Sequence, residues 1–542
     1  MKKISASRLA AGAALIIALC AGALRLRSQE KPERPVKLVL LIAVDQFRYD
    51  YLTRFRTEYN SGLDRLLRRG AVFVNANLDH YPTVTAVGHS TMLSGATPAL
   101  SGIMGNDWYD REAGKMVTSV SDDNEKLIGG TSKEGTSPRR LLVSTVGDEM
   151  KRAHVDTPKV IGMSLKDRSA ILPSGHMADA AYWYDAKNGN FISSTYYFAD
   201  IPAWVKTFNS ERLPDKYAGA YWDFLGAPVT RVQMPSEAGP KLSGAVYSSP
   251  FGNELLEAFA ERAVREEKLG QRGSTDLLTV SFSSNDAVGH ALGPDAPQVR
   301  DMCIRTDRVI GKLFGYLDQT IGMDHVLVVL TADHGVVPLP EQLQRDKMPG
   351  GRIAGSAIFG PMTAALTAHF GEGNWVLDTA GTSPYFNLDL IQQKGLDPAE
   401  VRRVAARAVA TAPHVARVYT RDELVRGEVQ RDAIGEKVVR SFNARRSGDL
   451  EIILDPYWIR GATGTTHGTP YEYDSHIPVI FMGPGVKPGR YARQIVLNDV
   501  APTLATMLDV ETPSGSVGRP LFEIMTNVAD DTPAESRPVS SR

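Results

Sequence analysis

The run VKLVLLIAV, Val36 to Val44, is almost unbroken apolar sequence rich in β-branched residues, and it stops at Asp45. A half-exposed strand or an amphipathic helix would show polar residues at its own period. A run like this is a strand covered on both faces, as in a parallel sheet packed between helices. The same grammar recurs in VIGMSL before Lys166, LLTVSF before SSND, VLVVLTAD before His334 and IPVIFMG before Pro484. Helical stretches separate these runs: YDYLTRFRTEYNSGLDRLLRRG closing at Gly70, Ala86 towards Gly95, Pro297 to Ile321 and Pro398 to Ala412, with AVFVNANL as a further strand. The predicted fold class is therefore α/β, a doubly wound, mostly parallel central sheet. In such sheets ligands gather beyond the carboxyl ends of the strands. Asp45, Lys166, Asp286, Asp333 and His334 are accordingly expected to converge on one site.

Two regions interrupt the alternation, about 107–276, rich in aromatics, and about 341–460. Both are expected as insertions in one catalytic domain spanning 36–528, the first as a cap. Lys2, Lys3 and Arg8 precede an apolar stretch and the small triplet Ala21, Gly22, Ala23, the pattern of a signal peptide over 1–23, with a linker over 24–35. The destination is then periplasmic or extracellular. The stretch falls short of the about 20 residues that a spanning helix needs, so no stable membrane span is expected unless the signal is retained. The tail, 529–542, has a disordered composition. Lys+Arg number 61 and Asp+Glu 62, so no nucleic-acid-binding patch is indicated and any anion site must be local. Cys303 is left without a disulfide partner once the signal is gone, and its helical context makes it a core residue.

Chemistry-bearing residues cluster in short motifs. HYPTVTAVGHS, His80 to Ser90, is a polar loop entering a helix. NDAVGH places Asp286 and His290 four apart, on one helical face. TADHG makes Asp333 and His334 adjacent, so that their side chains diverge and can grip an ion from two directions. GTTHGTP sets His467 among glycines and hydroxyls. Each alone is a weak metal signal; their joint occurrence at strand ends is strong.

Taken in order, VDQFRYD, PTVTAVGHSTMLSGATPALSGIMGNDWYD, SLKDRSAI, SSNDAVGHALGP, TADHGVVP and THGTPYEYDSHIPVIFMGPG resemble the alkaline phosphatase superfamily. The likeness is to its bacterial, secreted, threonine-nucleophile phosphate monoesterases and runs from about Val36 to Phe522. It implies two Zn2+ ions, one held by Asp45, Thr85, Asp333 and His334, the other by Asp286, His290 and His467. His476 competes for the last place, but the family's ligand is the histidine followed by glycine. Thr85 becomes the nucleophile, forming a phosphothreonine intermediate, and Asn106, Lys166 and Arg168 bind the phosphoryl oxygens. His80 and His89 lose any claim as ligands, with His89 bracing the loop.

Three carboxylates and a Thr85 alkoxide carry four negative charges, which two divalent ions cancel. Lys166 and Arg168 then match the two charges of a phosphate monoester, whereas a diester brings one. Thr85 would stand at a helix start, where free N–H groups favour an arriving phosphate. The alternative is a nucleotide pyrophosphatase or phosphodiesterase of the same superfamily, whose nucleophile typically precedes Phe-Pro-Asn-His where this chain has AVGH. A sulfatase would need a Cys/Ser-x-Pro-x-Arg motif, which does not occur around Thr85.

Overall fold

A computed structural model describes residues 36–526 except 133, 154–156 and 225–230. The expected signal peptide, linker and tail lie outside the described residues. Ten strands form the central sheet: β1 (Leu38–Val44), β2 (Ala71–Phe73), β3 (Leu127–Ile128), β4 (Val160–Ser164), β5 (Ala180–Asp185), β6 (Asn190–Ser194), β7 (Asp276–Phe282), β8 (Val326–Thr331), β9 (Val479–Met482) and β10 (Gly489–Tyr491). Their spatial order is β10-β2-β9-β8-β1-β7-β4-β5-β6-β3. β1 pairs in parallel with β7 and β8, Leu40 standing opposite Leu278 on one side and Val328 on the other. β7 continues in parallel to β4 and β4 to β5, while β9 is antiparallel to β8. The sheet is thus mostly parallel. Every residue of β1, β7 and β8 is buried, which is why their sequences show no alternation.

Three expectations need correction. The helix expected to run unbroken to Gly70 is two helices, Asp50–Arg54 and Gly62–Arg69. Between them the buried Asp307 carboxylate accepts the backbone N–H groups of Asn60, Ser61, Leu63 and Asp64 at 2.7–3.2 Å. A distant side chain thereby starts the second helix, as a local cap would. AVFVNANL likewise breaks into Ala71–Phe73 and Ala76–Asn77.

The region 107–276 is not a cap laid over the sheet. It supplies β3 to β6, and its aromatics pack inside: Tyr182, Phe191, Phe208 and Phe259 join the main core. Their ring pairs include Phe191 stacked on Phe259 at 3.9 Å. The region 341–460, by contrast, has a core of its own built on Ile358, Leu366, Trp375, Val401 and Leu450. Cys303 is a free, buried residue of the helix Pro297–Thr320.

Candidate active site

Asp45 directly follows β1, Lys166 lies two residues past β4, and Asp333 and His334 two and three past β8. Helix α1 (Thr85–Ser94) begins on Thr85, and α2 (Ser284–Leu292) carries Asp286 and His290 on one face. His467 arrives on the loop that returns from the 341–460 region. The carboxyl ends of four neighbouring strands, β8, β1, β7 and β4, thus meet two helix starts at one point.

Two donor groups result. The ligand atoms of Asp45, Asp333 and His334 lie within 4.8 Å of one another, as do those of Asp286, His290 and His467. The groups touch, with the His334 and His467 rings stacked 3.5 Å apart. Each imidazole is oriented in the same way. Nδ1 faces a main-chain carbonyl: Thr465 for His290 (2.8 Å), Gly335 for His334 (2.9 Å) and Thr83 for His467 (2.8 Å). A carbonyl oxygen can only accept, so Nδ1 carries the proton and the Nε2 lone pair is directed into the site.

Electrostatics agree. Burial, reinforced by the neighbouring imidazoles, holds His467 well below the usual histidine range, and burial also lowers His334, so both rings are neutral donors. Burial, together with the adjacent Asp333, raises Asp45 well above the carboxylate range. Asp45 Oδ1 and Asp333 Oδ2 are buried without any hydrogen-bond partner, facing His334 Nε2 at 3.6 and 3.2 Å. Buried carboxylate oxygens left without a donor are costly, and a cation is what cancels that cost. The donor set of three carboxylates and three imidazoles therefore fits divalent metal ions.

Thr85 Oγ1 sits 3.3 Å from His334 Nε2 and is almost wholly buried. Asn106 Oδ1 accepts the Ala86 N–H at 2.9 Å, which fixes its amide beside the first turn of α1 and leaves Nδ2 without a protein partner. Lys166 Nζ bridges Asp45 Oδ2 and Asp286 Oδ2, 2.6 Å from each. It therefore ties the two donor groups together as well as standing near the expected phosphoryl position. Arg168 follows on a short helix with its Nε buried and unpaired.

The remaining histidines fall outside the donor groups. His476 is stacked on Tyr49 and bonded to Val74 O at 3.1 Å. His89 is held by Thr85 O (2.9 Å) and Ser281 Oγ (2.8 Å), bracing the backbone at Thr85. His80 is wholly buried and kept neutral by that burial, its pKa pushed down to about 3.

Two contributors escaped the sequence reading. Gln46 has a left-handed backbone (φ +60°); its N–H donates to Asp333 Oδ1 at 3.1 Å and its Nε2 to Asp286 Oδ1 at 2.7 Å. One residue thereby steadies a carboxylate from each group. Gly88 is the other: a Cβ there would lie 2.4 Å from Asp333 O. Only the position of Gln46 next to Asp45 and of Gly88 three residues after Thr85 hinted at either role.

The profile of the family described as type I phosphodiesterase / nucleotide pyrophosphatase matches residues 39–474. The chain belongs to that family. Among its relatives, the alkaline phosphatase PhoV of Synechococcus elongatus is 38% identical over 551 residues, covering 94% of this chain and 98% of the relative. A Myroides odoratus protein named calcium-transporting ATPase is 37% identical, covering 92% and 96%. Alkaline phosphatase PafA of Elizabethkingia meningoseptica is 35% identical, covering 94% and 98%. The crystal structure of PafA superposes with a TM-score of 0.84, covering 90% of this chain and 99% of that one. Among the described residues no helix is long and apolar enough to cross a membrane.

Proposed function

We propose that this family member is an exported alkaline phosphatase that hydrolyses phosphate monoesters through a phosphothreonine on Thr85, with two Zn2+ ions as cofactors. Thr85 lies against one of two touching metal-donor groups, and that observation carries the reading. Asp45, Asp333 and His334 with Thr85 would hold one zinc, and Asp286, His290 and His467 the other. Bound there, zinc supplies Lewis acidity, lowering the pKa of a hydroxyl and neutralising charge on phosphoryl oxygens.

The chain's own residues do the positioning. Thr85 Oγ1, at the first residue of α1, gives up its proton to water and attacks phosphorus; the P–Oγ bond forms as the bond to the substrate alcohol breaks, and that alcohol leaves with a proton from water. Asn106 Nδ2 donates to a phosphoryl oxygen while Ala86 N–H keeps the amide in place. Arg168, with its unpaired guanidinium nitrogen, and Lys166 supply positive charge to the dianion. Water then attacks the phosphothreonine, releasing inorganic phosphate and restoring the Thr85 hydroxyl.

The family also contains diesterases and pyrophosphatases, so the assay compares an aryl phosphate with its alkyl diester. Faster turnover of the monoester supports the reading, and the reverse order removes it. Thr85→Ala should abolish turnover while the protein still binds metal; full phosphatase activity in that variant would end the mechanism.

A further inference from the structure

A cavity of about 430 Å³ opens from the active site: Asn106, His290 and His467 line it, and so do Tyr81, Tyr385 and Glu451. Thr382, Ser383, Tyr385 and Glu451 of its wall come from the 341–460 region, and the proposed phosphate chemistry assigns them nothing. In the proposed reaction the phosphate would sit at the end of this space lined by Asn106, His290 and His467. The remainder is where the alcohol half of a bound monoester must extend.

Glu451 is its most distinctive group. Ser383 Oγ donates to Glu451 Oε2 at 2.5 Å, which fixes the carboxylate, while Oε1 has no hydrogen-bond partner among the described residues. Aromatic side chains share the same wall, Phe442 and Trp458 joining Tyr81 and Tyr385. Tyr81 is itself fixed, its hydroxyl lying 3.0 Å from Thr382 Oγ1 and 3.3 Å from Ile452 O. Arg460, also in the wall, spends its guanidinium on Gly381 O and the face of Phe359. Asp107 adds a second carboxyl to the lining. A fixed carboxylate with one open oxygen among aromatic faces is a receptor for an alkylammonium, which gains both a charge-assisted hydrogen bond and cation–π attraction.

We propose that this cavity is a leaving-group subsite in which Glu451 recognises monoesters whose alcohol carries an ammonium group. The proposal rests on the monoesterase reading. Burial pushes the Glu451 carboxyl up to about 7; the phenols of Tyr81 and Tyr385, the His290 and His467 imidazoles, Arg460 and the Asp107 carboxyl are the other titratable groups of the lining. The carboxylate is therefore ionised in an alkaline assay at about pH 8.5, where a primary amine is still protonated.

The experiment uses ω-aminoalkyl phosphates of two to six carbons against n-alkyl phosphates of equal length, with an aryl phosphate as reference. Because Glu451 is fixed in the wall, the ratio of kcat/KM for amine over alkyl substrate should peak at one chain length, at about tenfold. Glu451→Gln should bring that ratio down to near one while aryl phosphate turnover persists. A wild-type ratio near one at every length overturns the subsite, and so does a peak that survives in the variant. Absence of aryl phosphate hydrolysis in the wild-type protein would instead indict the monoesterase reading. The wild-type length series decides the matter even if the variant does not fold.

Discussion

Replacing Gly88 by alanine should cripple the enzyme without altering any group that touches substrate. Gly88 lies three residues into the helix that starts on Thr85. An added Cβ would stand 2.4 Å from Asp333 O and 2.7 Å from both Asp333 Cα and Cβ. Favourable carbon contacts begin near 3.5 Å, so helix and strand end must part by roughly 1 Å. Thr85 rides on that helix and Asp333 is in one donor group, so the shift falls directly between the proposed nucleophile and its metal. A displacement of that size costs about a hundredfold in rate, and the forced repacking about 1–3 kcal/mol in stability. The assay is kcat on an aryl phosphate alongside a thermal melt. Gly315→Ala is the control: it lies inside the helix Pro297–Thr320 with nothing within 4 Å of its added Cβ, so it should leave kcat unchanged and gain about 0.5–1 kcal/mol. Wild-type turnover in Gly88→Ala would refute the reasoning, because it would mean that the close approach of α1 to β8 does not set the position of Thr85.

Gln46→Leu removes the side-chain donor to Asp286 and should weaken zinc binding by about 10–100-fold in a chelator competition; unchanged affinity would leave Gln46 without a positioning role. Asp474 is buried, with Thr469 N and Oγ1 donating to Oδ2 at 2.8 and 2.7 Å, yet burial pushes its carboxyl up to about 7 from an ordinary 3.8. The folded chain then holds a proton that the unfolded chain has released, so this contribution is fully present below about pH 4 and fades as pH rises through 7. Asp474→Asn should flatten the fall in urea midpoint between pH 5 and 8, and an identical slope in the variant would contradict it. Chelation should lower both activity and melting temperature, with zinc restoring both; a melt indifferent to chelator would argue against metal in the donor groups.

Asp45, Asp286, Asp333 and His334 were legible because each sits just beyond a strand whose continuous apolar sequence announces a buried parallel position, whereas His290 followed from its spacing to Asp286 and His467 from the family resemblance. Asp45, Asp333 and His334 need no distant information to be placed at a sheet edge. Gln46 could not be found that way, since its meaning lies in partners 240 and 287 positions away. The same holds for Asp307, which divides an apparently continuous helical stretch from 246 residues away. The 107–276 region was misjudged for another reason. AAYWYD puts large rings on both faces of β5, and rings serve a buried strand as well as they serve a cap.

The three imidazoles of the donor groups are steered by main-chain carbonyls of Thr83, Gly335 and Thr465 rather than by carboxylate side chains. Every residue type supplies that acceptor. Point substitutions at the two threonines can therefore accumulate without turning a ring, provided the loop path is kept. Such a centre is robust to drift in its neighbours yet vulnerable to insertions and deletions. Laboratory evolution of substrate preference has correspondingly wide latitude in side chains near the metals, and little in loop length.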